Sequence, residues 1–138
     1  MMNEIADFQF RSYKLTNIDF QLYSQDLKSN DMALETNLKI VCNPDNFNNG
    51  IVKVSCIINA QSKNTTEIES VFQLHVDIVG SFWVNKTISR DDYKRFLKLN
   101  GVATLMPFLR SAIANITQMA NIPPVIIPLF NLYRLEND

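Results

Sequence analysis

Glycine is scarce in this chain: three residues in 138, at positions 50, 80 and 101. Phosphate loops, dinucleotide fingerprints and the GxSxG elbow all need closely spaced glycines, so none of these can be assembled here. There is one histidine, His75, with no second histidine and no cysteine near it in sequence. This leaves no HExxH motif and reads as a surface residue two positions from Asp77 rather than a ligand or catalytic base. The two cysteines, Cys42 and Cys56, form no CxxC pair and read as buried thiols rather than a zinc site or a disulfide. Charge of either sign is also lacking in excess. Thirteen basic residues face fourteen acidic ones for a net charge of −1, and the basic residues are scattered, which argues against nucleic acid as the main partner. No apolar run approaches the ~20 residues of a membrane span. Met1 to Asp7 holds two acids and no base, so no signal peptide is expected. These absences point to a soluble, cytoplasmic protein with no catalytic, cofactor or metal site.

What the chain does have is a globular composition, 46% apolar and 20% charged, in a length that suits one domain over 1–138. The clearest pattern is Phe72, Leu74, Val76, Ile78, Gly80, Phe82 and Val84. Period two over this length predicts a long strand with one buried face. Gly80 within it marks a bulge or a close approach of another backbone. Val52, Val54, Cys56, Ile58 and Ala60 alternate in the same way and form an antiparallel hairpin with that strand, turned by the polar run Gln61 to Glu67. Leu34, Thr36, Leu38, Ile40 and Cys42 predict another strand, ending before a polar loop from Asn43 to Gly50. The first strand alternates in three pieces, Phe8 with Phe10, Tyr13 with Leu15, then Ile18, Phe20 and Leu22. Its parity shifts twice, so it reads as one long strand interrupted by bulges or twist.

The period then changes. Ser89 to Asp92 looks like a capping box opening a short helix to about Leu99, stopped at Asn100-Gly101 where glycine supplies a left-handed residue. Val102, Leu105, Met106, Leu109, Ala112, Ile113, Ile116, Met119 and Ala120 recur at three and four, predicting a long amphipathic helix of about five turns. Pro107 fits this helix in its first turn or at a kink. The segment Ile122 to Pro128 cannot be helical and is too apolar for a solvated loop, so it should lie against the fold, with a short helix at the C-terminus. The expected class is α+β: a four-stranded antiparallel sheet, a short helix, a long helix, and a proline-bounded segment with a short C-terminal helix.

Several segments resemble the SecB family of protein-export chaperones, in the same order along nearly the whole chain. Phe8-Gln9-Phe10 and Ile18-Asp19-Phe20 are similar to the family's F-Q-I and I-S-F. Phe72, Val76, Gly80 and Phe82 match its F-x-x-x-V-x-x-x-G-x-F spacing. Leu105-Met106-Pro107-Phe108-Leu109-Arg110 resembles L-F-P-Y-A-R, and Ile122 to Asn131 resembles F-P-Q-L-N-L-A-P-V-N with one residue fewer. The resemblance implies a homotetramer, a dimer of dimers with helices between two outer sheets, whose apolar grooves hold extended segments of unfolded polypeptides or preproteins. Such grooves bind apolar side chains without reading sequence, and several on one oligomer raise avidity.

Carried over residue by residue, the resemblance places Leu38 and Ile40 near the client groove, with Met32 where the family often has tryptophan. It links Leu74, Val76 and Ile78 to the oligomer interface, although packing within one subunit would bury the same face. Ile126, Phe130, Leu132 and Tyr133 carry more large apolar groups than a free tail should, and either line a groove or dock on the subunit's own sheet. Trp83, on an otherwise polar strand face, is a candidate anchor. Docking on the SecA motor uses an acidic patch on the outer sheet face in the family. The matching positions here are Asn17, Gln21, Gln73 and His75, none a carboxylate, so motor docking should be weakened, absent or remade. The alternatives are a SecB-like module dedicated to one partner such as an antitoxin, and a lipid-binding α+β domain in which a helix covers a curved sheet.

Overall fold

A computed structural model describes residues 8–23, 32–45, 49–62, 70–84, 90–122 and 125. Four strands, β1 (Phe8–Leu22), β2 (Met32–Asp45), β3 (Asn49–Ser62) and β4 (Ser70–Val84), are followed by one helix, α1 (Arg90–Met119). They form a single sheet in the order β1-β4-β3-β2, antiparallel throughout. β1 and β2 are therefore the edges. The β3–β4 hairpin expected from alternation is present, with Val52 opposite Gly80 and Ala60 opposite Phe72. β2 runs past the expected end at Cys42 to Asp45, which pairs with Asn49, and it holds Pro44 because an edge strand needs no outward ladder donor.

The two parity shifts in β1 are two register shifts against β4, between Phe10 and Ser12 and between Leu15 and Asn17. A one-residue slip would move every later side chain to the other face. Each shift instead absorbs one residue, so Phe10, Tyr13, Leu15, Ile18, Phe20 and Leu22 all stand opposite even-numbered residues of β4. One face of the sheet is thus apolar across all four strands.

That inner face carries α1, which runs on where the sequence predicts a stop at Asn100-Gly101. Neither residue is left-handed; no glycine has positive φ among the described residues. The Asn100 side chain instead donates to the Phe96 carbonyl one turn back. Gly101 serves close packing: a Cβ built there would lie 2.6 Å from Val52 Cγ2. The completely or nearly buried residues Tyr93, Leu97, Gly101, Leu105, Leu109, Ile113 and Thr117 recur at every fourth position, a single ridge with its smallest member over β3. Pro107 sits inside the helix rather than in its first turn. Pro107 and Ala103, whose carbonyl loses its partner, are both exposed, so water can satisfy that oxygen while the buried ridge holds the helix together.

The true stop is Asn121, at φ 60°. The Ile122 N–H bonds the Thr117 carbonyl and the Asn121 N–H bonds that of Gln118, the paired closure of a Schellman motif. Thr117 Oγ1 is bonded to the helix carbonyls and accepts from the Val125 N–H at 3.2 Å, tying the following chain to the helix end. Of the remaining expectations, Ser89 of the capping box and the C-terminal helix lie outside the described residues, whereas Asp91 and Asp92 do occupy the first turn of α1.

Gly101 yields a first prediction. Alanine raises helix propensity by about 1 kcal/mol, but overpacking against a β-branched side chain rooted in a central strand costs about 1–3 kcal/mol. Gly101→Ala should therefore lower stability in urea denaturation, and less so in a Val52→Ala background where the clashing methyl is gone. Additive effects in that cycle would contradict the close-approach account.

Candidate functional site

Across the inner face, exposure is lowest at the centre and rises at both edges. In one cross-strand row, Leu22, Phe72, Ala60 and Leu34 stand side by side with relative exposures of 39%, 1%, 1% and 45%. In another, Ile18 is 51% exposed beside fully buried Val76 and Cys56, and Leu38 is half-buried beyond them. The centre is therefore the core, and each edge strand keeps a partly exposed apolar margin that no described element covers fully.

The helix sets where these margins begin. Its first turns lie near Cys42 of β2, where Lys94 and Lys98 are close enough to act on the thiol. Gly101 then meets Val52 of β3, and Leu105 meets Gly80 of β4. Finally Phe108 stacks on Tyr13 of β1, ring centroids 4.3 Å apart, with Phe10 5.8 Å away. Cys42, Val52, Gly80 and Tyr13 form one inner-face row, so the helix crosses the whole sheet near one end.

The β2 margin holds Met32, Leu38 and Ile40, all half-buried and packed against the core. The sequence-predicted site residue set omitted Leu34, the most exposed apolar side chain on this face of β2. The same alternation that marks Leu38 and Ile40 contains it. Leu74, Val76 and Ile78 have no exposed surface in the single chain. Their cross-strand neighbours Phe20, Ile18 and Leu15 carry the accessible apolar surface, which sequence reasoning assigned to a strand face but to no site. Ile126, Phe130, Leu132 and Tyr133 lie outside the described residues, while Val125, just before them, is buried.

The cysteines read as buried thiols are unbridged, Cys56 buried and Cys42 half-buried. Burial pushes the Cys56 thiol up from 9.0 to about 11. Cys42 is also raised to about 11 by burial, against the opposing pull of Lys98 and Lys94. Because the folded value lies above the unfolded one, the stabilisation is complete below pH 9 and is lost as pH rises through 11. At pH 8 the thiolate fraction of folded Cys56 should be about a hundredfold below that of the unfolded chain. Labelling with a thiol reagent should be slower in the native protein by at least that factor, and equal rates would contradict its burial.

On the outer face, the four positions matched to the docking patch do come together. Asn17 and Gln21 of β1 neighbour Asp77 and Gln73 of β4, and Gln21, Gln73 and His75 line a hollow of about 90 Å³ with Asp19 and Ile57. Asn17 Nδ2 lies 3.5 Å from His75 Nδ1. Two carboxylates that the residue-by-residue match left out of the patch stand here. Asp77 is buried, 2.9 Å from His75 Nε2 and 3.8 Å from Lys53 Nζ, so its charge is occupied within the fold. Asp19 is exposed. Asp19 at the hollow and Glu35, exposed two strands beyond Gln73 on the same face, are a much weaker field than an acidic cluster.

The model of the family of preprotein translocase subunit SecB matches residues 24–135. An uncharacterised protein of Methanocaldococcus jannaschii is 32% identical over 126 residues, which cover 90% of this chain and 79% of that protein. Among solved structures, the Mycobacterium tuberculosis Rv1957 SecB-like chaperone, in complex with a ChAD peptide from the Rv1956 HigA1 antitoxin, is similar in fold. Its TM-score is 0.77 at 13% identity, with 91% of each chain covered.

Proposed function

The chain belongs to the SecB family, and from that premise we propose that it is a holding chaperone for unfolded or nascent polypeptides. The observation that carries this reading is the apolar margin of β2, where Met32, Leu34, Leu38 and Ile40 share one face of an edge strand and are left only partly covered. An unfolded client exposes apolar side chains, and a margin of this kind takes them up by burial alone, at roughly 25 cal/mol per Å² of apolar surface. Holding requires no catalytic group and no cofactor. Ile126, Phe130, Leu132 and Tyr133 are further client-binding side chains in this reading.

The protein works as a homotetramer built as a dimer of dimers. The β1 margin supports this, since Phe10, Tyr13, Leu15, Ile18 and Leu22 are each 37% to 51% exposed along one strand face, too continuous an apolar strip for a chain that stays alone in water. Leu74, Val76 and Ile78 serve assembly from beneath, by fixing the strand on which that strip stands. With two separated open carboxylates among the described residues of the outer face, Asp19 on β1 and Glu35 on β2, rather than a cluster, docking to a SecA-type motor is weak or replaced.

A second reading is a chaperone dedicated to one client, and the solved relative with an antitoxin peptide favours it. A lipid-binding role draws less support, because the apolar surface lies along open margins. The decisive assay follows light scattering of a chemically unfolded substrate diluted into buffer. Stoichiometric tetramer should suppress aggregation, and a Leu34→Ser/Leu38→Ser variant should suppress it poorly. No suppression, combined with tight retention of a single partner in a pull-down, would select the dedicated reading.

A further inference from the structure

The outer face divides into two chemically different halves. Toward the Gln73 end it is an amide and acid surface. Toward the other end, cross-strand rows place Lys14, Val79, Lys53 and Val41 side by side, with Ile51 and Trp83 beyond them and Lys39 on the near side. Lys14, Lys39 and Lys53 are all exposed. Val41 and Ile51 are 48% and 42% exposed, and Val79 and Trp83 are half-buried. Among the described residues no element covers this face, since α1 packs on the other one.

Lys14 and Lys53 flank the strand carrying Val79, so their stems rise about 10 Å apart. Lys39 is the diagonal neighbour of Lys53, about 7–8 Å away. Asp77 answers Lys53 at 3.8 Å and is shared with His75. Lys14 and Lys39 make no ion pair among the described residues. Two unanswered ammonium groups thus border a flat apolar patch in a chain whose net charge is −1.

We propose that this half of the outer face is a docking surface for an acidic polypeptide segment carrying apolar anchors, distinct from the apolar margins that hold clients. Its apolar centre offers Val41, Ile51, Val79 and Trp83 to the anchors, while the surrounding lysines select carboxylates. A nucleic acid is disfavoured because a net negative chain repels a long polyanion. An anionic membrane is disfavoured because lipid recognition takes clusters of about four to eight basic residues.

The chain's single tryptophan, Trp83, is the reporter. The probe is a synthetic peptide of about twelve residues alternating glutamate with leucine and valine. It should shift Trp83 emission saturably in the intact protein, and the effect should fade in 1 M salt, where screening acts over about 3 Å. Lys14→Glu/Lys39→Glu and Val41→Ser/Ile51→Ser should each weaken binding by about tenfold or more, leaving circular dichroism and aggregation suppression unchanged. Equal binding of a lysine-for-glutamate peptide, or indifference to both double variants, would overturn the proposal. So would Trp83 responding to phosphatidylglycerol vesicles and not to the peptide.

Discussion

Leu105→Ala is expected to lower unfolding stability by about 2–5 kcal/mol, a large part of the roughly 7–20 kcal/mol that a chain of this size commands. Leu105 is fully buried in the ridge by which α1 grips the sheet. Its Cδ2 would lie 2.7 Å from a Cβ built on Gly80, so the leucine occupies the space that glycine vacates. Truncation leaves a hole whose floor has no side chain to move in, which puts the cost toward the upper end of the range. Urea denaturation should show a lower midpoint with an unchanged slope. Met119→Ala, at an 85% exposed position of the same helix, should change the midpoint negligibly. A loss below about 1 kcal/mol for Leu105→Ala would mean that the helix does not pack as described.

The second large effect concerns assembly. Leu15→Asp/Ile18→Asp places two carboxylates in the β1 margin, where the single chain leaves these side chains 37% and 51% exposed. The protomer should keep its fold, because both groups remain in contact with water. Burying them against another copy costs at least several kcal/mol, so association should weaken by about a hundredfold or more. Sedimentation velocity should show tetramer for the parent chain and smaller species for the variant at micromolar concentration. A variant that stays tetrameric would place the interface elsewhere. Substitutions at Leu74, Val76 or Ile78 make a poorer test, since their complete burial means that stability is lost first.

How far the sequence reveals this protein depends on which interactions decide each feature. Alternation is local and reports which face is buried, so β3, β4 and even the two shifts in β1 were legible from it. Helix punctuation was less reliable. Asn100-Gly101 has the composition of a stop, yet the glycine is there because Val52 lies 2.6 Å from where its Cβ would be, and a tertiary approach leaves no local trace. The actual stop at Asn121 lacks a glycine altogether and is recognised only by its φ of 60°. Periodicity also cannot tell a covered apolar face from a partly covered one. It gave Leu74 and Ile18 the same standing, although one is buried and the other half exposed, because coverage depends on where α1 crosses the sheet. The missed Leu34 belongs to the same class, and the burial of Asp77 depends on its neighbours across β3 and β4.

Site-specific photo-crosslinking tests most directly whether clients are held against the inner face at the β2 margin. A photoreactive phenylalanine analogue is placed at Leu34 in one sample and at Gln73, exposed on the outer face, in another. Each protein is then irradiated with an unfolded substrate. Crosslinks to the substrate from position 34 with few or none from position 73 are the expected result. Equal yields, or capture from position 73 alone, would contradict it.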